Sequence, residues 1–121
     1  MAPLKIFLFA GPLLLAAFAE AAERPPTRLM DEIERTIVLE KAFGARWSAP
    51  HPLAAYDRYY AWSEDGRAVE AVYTLGRGAA GRHWVERNQL PVIFDGGCSF
   101  IRVRYSPKTR HFDEVACNGL A

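Results

Sequence analysis

Apolar positions change their period along the chain, and each change marks an element. Ile6 to Ala19 is a nearly unbroken apolar run behind Lys5. Leu29, Met30, Ile33, Ile37 and Phe43 then fall on one broad side of a helical wheel, the stripe of an amphipathic helix. Thr27 stands where an N-cap belongs, and Gly44 where such a helix stops. Asp31, Glu32 and Glu34 come early and Lys41 and Arg46 late, the order that the helix dipole favours. Glu40 projects onto the apolar side. It reads either as a carboxylate reaching solvent or an arginine, or as an acid held in a pocket.

Beyond the helix-breaking Ser48-Ala49-Pro50-His51-Pro52, the period falls to two. Tyr56 to Trp62 and Arg67 to Leu75 flank Ser63-Glu64-Asp65-Gly66, which predicts a hairpin with Gly66 in a left-handed position. Val69, Ala71, Tyr73 and Leu75 are expected to face the core with Tyr59 and Ala61, leaving Tyr60 and Trp62 on the other face. Arg82 to Arg87 reads as a short strand. Leu90 to Phe94 reads as an edge strand or irregular segment, because it contains Pro91. Cys98 to Tyr105 and Arg110 to Cys117 predict a second hairpin about Ser106-Pro107-Lys108-Thr109. Folding it at Pro107-Lys108 sets Val103 opposite Phe112, Arg102 opposite Asp113 and Cys98 opposite Cys117. The expected fold is α+β: one N-terminal amphipathic helix packed on a curved antiparallel sheet of four to five strands, a meander of hairpins.

The first apolar run carries a different message. One basic residue, an apolar stretch of h-region length, and Ala17-Phe18-Ala19 and Ala19-Glu20-Ala21 together form the pattern of a secretory signal peptide over residues 1–21. The stretch is short for a bilayer span and contains Pro12. The expected product is an exported, periplasmic or secreted domain of residues 22–121, with no stable membrane insertion after the leader is cut. An uncleaved leader would instead hold the chain to the membrane.

Composition narrows the partners. Lys and Arg total 15 against 14 Asp and Glu, so a general nucleic-acid or anionic-membrane binder, which should be clearly basic, is not expected. Cys98 and Cys117 are the only cysteines, their spacing fits no zinc or haem pattern, and an oxidising compartment would pair them. In the chain-entropy account such a bridge contributes roughly 3 kcal/mol.

Candidate chemistry is sparse. Gly76-Arg77-Gly78-Ala79-Ala80-Gly81 matches G-x-G-x-x-G, but no βαβ unit surrounds it, so a hairpin loop is expected rather than a nucleotide site. Its arginine and Arg82 could meet an anion. His51, His83 and His111 show no metal-ligand spacing, and no serine-nucleophile motif is present. No cofactor, metal or catalytic residue is therefore assigned. Arg77, Arg82, Trp84, Tyr60 and Trp62 are the candidate binding residues, because Trp, Tyr and Arg make good anchors.

These features favour a non-enzymatic module binding an envelope protein, peptide or polymer. A small-molecule binder or small enzyme with a pocket between helix and sheet, containing Glu40, Tyr59 or Tyr73, is the second class. A structural envelope protein held by its leader is the third. Intact mass of protein expressed with its own leader should match cleavage after Ala19 or Ala21, with no alkylatable thiol before reduction. A full-length mass with two free thiols would overturn the export reading.

Overall fold

The computed structural model describes residues 26–42, 51–76 and 80–118. The leader pattern, Phe43, Gly44, Trp47, the start of the Ser48–Pro52 break, and Arg77 lie outside the described residues.

The helix α1 spans Pro26–Thr36 and buries Leu29, Met30 and Ile33. Pro26 suits a first turn, whose amide needs no intrahelical partner. The helix is shorter than its apolar stripe predicts. Thr36, Ile37 and Val38 are three β-branched residues in a row, which crowd the preceding turn. Thr36 Oγ1 also donates back to the Glu32 carbonyl at 3.0 Å. The chain leaves the α-helix there and makes a separate 3₁₀ turn, Leu39–Ala42, on which Glu40 falls.

Five strands follow: β1 Tyr56–Trp62, β2 Val69–Leu75, β3 Arg82–Trp84, β4 Phe100–Ser106 and β5 His111–Cys117. They form one open sheet in the order β3-β1-β2-β4-β5. The sheet is mixed, a departure from the all-antiparallel expectation, because β3 runs parallel to β1. The loop after β2 carries the chain past β1 to its outer side. There Arg58 N donates to Gly81 O at 2.7 Å and Val85 N to Tyr60 O at 2.8 Å.

In the first hairpin Trp62 lies opposite Val69 and Tyr60 opposite Ala71. Cross-strand partners share a face, so Tyr60 and Trp62 project with Val69, Ala71 and Tyr73 rather than away from them. Tyr60 is fully buried, with 0% of its surface exposed. Ser63 and Asp65 tie the connecting loop together, Ser63 Oγ donating to Asp65 Oδ1 at 2.7 Å. Gly66 occupies the expected left-handed conformation at φ 71°.

The second hairpin has a different register from the one predicted. Val103 pairs with Val115, Arg102 with Ala116, and Cys117 with Ile101. Two features cause the shift. Pro107 to Arg110 forms the loop, with Arg110 left-handed at φ 55°. Asp113 is then the extra residue between the Arg104–Glu114 and Tyr105–Phe112 pairs. Cys98 and Cys117 are nonetheless bonded, with Cα atoms 4.6 Å apart. Cys98 lies on a 3₁₀ turn, Gly97–Ser99, which brings it back to the end of β5.

One face of the sheet holds the core against α1. Leu29 and Ile33 pack with Tyr56, Tyr60, Tyr73, Ile101 and Tyr105. Each such side chain contributes roughly 1.5–3 kcal/mol by leaving water. The tyrosines bring hydroxyls into this core, and α1 supplies acceptors. Tyr60 OH donates to Glu34 Oε2 at 2.7 Å, and Tyr105 OH to Glu32 Oε2 at 3.0 Å. Tyr60 has one proton and gives it to Glu34, so Tyr73 OH, 2.8 Å away, donates to Tyr60. Burial pushes the Tyr60 and Tyr73 phenols well above the ordinary range, so both remain protonated donors.

Replacing Tyr60 by Phe keeps the packing but strands the Tyr73 hydroxyl and removes a donor from Glu34. A loss of about 1–3 kcal/mol is expected in urea unfolding, with an unchanged m-value. An unchanged midpoint would show that the hydroxyl chain contributes nothing.

Candidate binding site

The connection from β3 to β4 must cross from one side of the sheet to the other. Residues 90–94 pass over the face opposite α1, where they share a groove with Glu70, Val72, Arg102 and Arg104. A capping box holds the start of this connection: Glu86 N donates to Gln89 Oε1 at 3.0 Å, and the Glu86 side chain accepts from the Gln89 amide. At its far end, the Asn118 side-chain amide donates to the carbonyls of Ile93 and Asp95. The Cys98–Cys117 disulfide closes the same end. Gly96 makes the bend possible. It sits at φ 95°, and a Cβ there would lie 2.4 Å from the Phe100 ring.

A segment fixed at both ends displays its middle. Val92 is 76% exposed and Phe94 is 92% exposed, beside a groove of about 730 Å³. The sheet side of the groove is charged. Arg104 NH1 donates to Glu70 Oε1 at 3.0 Å, and Arg87 Nε lies 3.7 Å from Glu70 Oε2. Arg102 NH2 stands 4.0 Å from Glu114 Oε2. Three guanidinium groups thus meet two carboxylates beside an apolar rim. Such a site can take an apolar side chain and an oxyanion from one extended ligand.

The same face carries a second polar group at the β1–β3 edge. Asp57 is buried on β1. Its Oδ1 accepts from His83 Nε2 at 2.6 Å and its Oδ2 from Tyr59 OH at 2.7 Å. The Tyr59 and His83 rings stack at 4.8 Å. Burial alone would raise the Asp57 pKa. Hydrogen bonds from Tyr59 and His83, with the attraction of His83 and Arg58, outweigh it and hold the carboxyl below its ordinary value. The other histidines have separate surroundings, His51 beside the Tyr56 ring and His111 near Asp113.

The described binding residues expected from sequence are not in the groove. Tyr60, Trp62, Arg82 and Trp84 share the α1 face, since Arg82 pairs with Arg58 and Trp84 with Tyr60 across the β1–β3 ladder. Tyr60 is committed to the core. Trp62 and Trp84 are half-buried and meet edge to face at 5.8 Å. Arg82 is paired with Asp31 at 2.6 Å. Arg77 lies outside the described residues. The side chain of the acid candidate Glu40 lies outside what the structure describes; Glu32 and Glu34 are acids that meet the sheet.

Of the two readings of Leu90 to Phe94, edge strand or irregular segment, the irregular one holds, as Pro91 and the following Asp95-Gly96-Gly97 favour. Nothing in the sequence marks Val92 and Phe94 as exposed. Asp57 and His83 are 26 residues apart, and no spacing rule would have joined them. No protein-family model, curated protein or solved structure matches the chain.

Asp57 gives the site an acid-sensitive support. Its carboxyl is depressed in the folded state, so its contribution is complete above the unfolded value of about 3.9 and is lost as pH falls through the folded value. Asp57→Asn should lower the urea midpoint at neutral pH, by about 1–3 kcal/mol of stability, and flatten the acid limb of the stability–pH curve. An acid limb unchanged in the variant would remove Asp57 as its source.

Proposed function

We propose that the chain is a small exported binding module that takes an extended segment of a partner protein in the groove beneath residues 90–94. The observation carrying this reading is the display of Phe94 and Val92 above an arginine-bearing sheet face. An aromatic ring left in water next to a groove is a costly feature for a small domain, and it is recovered when a partner covers it. The excess of guanidinium over carboxylate around the groove favours a partner segment that carries an acid beside its apolar residue.

Export is supported by the leader pattern at residues 1–21 and by the Cys98–Cys117 bond, which suits an oxidising compartment. The space between α1 and the sheet is occupied by Leu29, Ile33, Tyr60 and Tyr73. That packing weighs against a buried small-molecule pocket there.

Selection of displayed peptides on the oxidised protein tests the reading. Enriched sequences should combine an aliphatic or aromatic residue with Asp or Glu. Phe94→Ala and Arg104→Ala should each weaken binding by about tenfold, without loss of the folded baseline in the Phe94 variant. Peptides that bind equally well to Phe94→Ala would overturn it.

A further inference from the structure

A second cleft lies on the opposite side of the molecule, between α1 and the β1–β3 edge. Its volume is about 710 Å³, and Leu53 and Ala54 contribute apolar wall. Four arginines surround it: Arg28 and Arg35 from α1, and Arg58 and Arg82 from the sheet. Two acids, Asp31 and Glu34, stand among them.

The two acids are already engaged. Glu34 Oε2 lies 3.3 Å from Arg58 Nε, and Asp31 Oδ1 lies 2.6 Å from Arg82 NH1. Arg58 is held further by two carbonyls, its NH1 donating to Leu53 O at 2.9 Å and to Tyr56 O at 3.1 Å. Its side chain is only 11% exposed. These contacts fix the inner guanidinium groups before any ligand arrives.

The outer pair is unspent. Among the described residues Arg28 and Arg35 have no ion-pair partner. They are seven positions apart, two helical turns, so they stand on one face about 10 Å apart along the axis. Their long side chains can converge on one ligand, and guanidinium forks match the oxygens of phosphate. A single small anion would leave one of them unused. A group with two linked phosphates would engage both.

We infer that this cleft is a binding site for a diphosphate group, with Arg28 and Arg35 as its capturing residues and Arg58 and Arg82 as its fixed inner wall. The site is local, and the balanced overall charge is no obstacle to it. It does not depend on the peptide groove, which lies across the sheet.

The test is calorimetric titration of the oxidised protein with inorganic pyrophosphate and, separately, with inorganic phosphate, at about 150 mM salt, where long-range attraction is screened. Pyrophosphate should bind more tightly than phosphate. The double variant Arg28→Gln/Arg35→Gln should weaken it by about tenfold or more, with an unchanged thermal midpoint. Arg102→Gln, on the opposite face, should leave it unchanged. Equal affinity for the two anions, or pyrophosphate binding retained in the double variant, would overturn the inference. Once binding is seen, sedimentation with phosphatidylcholine vesicles containing a diphosphate-bearing lipid assigns the source. Co-sedimentation lost in the double variant identifies a headgroup, and no co-sedimentation identifies a soluble or polymer-borne diphosphate. Phe94→Ala separates the two sites, since it should weaken peptide binding by about tenfold and spare pyrophosphate.

Discussion

The attachment of α1 depends on carboxylates accepting hydrogen bonds from sheet tyrosines. Glu34 meets Tyr60 and Arg58, and Glu32 meets Tyr105. A helix of eleven residues is marginal by itself and needs its apolar stripe covered. Leu29, Met30 and Ile33 supply that stripe, but a greasy stripe can slide or rotate. The hydroxyl–carboxylate bonds fix its position, because a displaced helix would leave buried phenols unpaired. The core is thus apolar in bulk and polar in its registration. The Tyr–Glu seam also sets the arginine cleft, since Glu34 orients Arg58 on one side and receives Tyr60 on the other.

The opposite face is organised by another logic. It carries Asp57, Tyr59, Glu70, Arg102 and Arg104, and it is covered by a connection rather than a helix. The capping box, Asn118 and the disulfide restrain that connection where regular hydrogen bonding does not. The only disulfide described therefore supports the least regular part of the fold, while the ladder supports itself.

Much of this was legible from residue patterns. Period-two alternation located β1 and β2, though it assigned the two faces of β1 the wrong way round, and two cysteines in one short chain announced their bond. Other features follow from contacts that local sequence does not encode. The helix ends at Thr36 because three β-branched residues override an apolar stripe that continues to Phe43. The second hairpin slips because Asp113 is taken up as a bulge, which no property of Asp113 alone demands. The cysteines meet through the Gly97–Ser99 turn, not through the ladder position that suggested their pairing. Arg82 to Trp84 reads as a strand but says nothing of its partner, so its parallel alignment beside β1 could not be seen. The apolar run 90–94 looks like a strand by composition, and its exposure follows from where a crossover must travel.

The seam that fixes α1 also governs the order in which the chain can fold. Asp31 finds its partner Arg82 after 51 residues, and Glu32 meets Tyr105 after 73. The first contact needs β3, and the second does not exist until the last hairpin is available. A short helix without them is weak, and a sheet whose β1–β3 and β2–β4 pairings join non-consecutive strands closes slowly. The emerging polypeptide therefore has little to gain from early structure. The Glu32–Tyr105 bond waits for β4, so the helix made first is the element docked last.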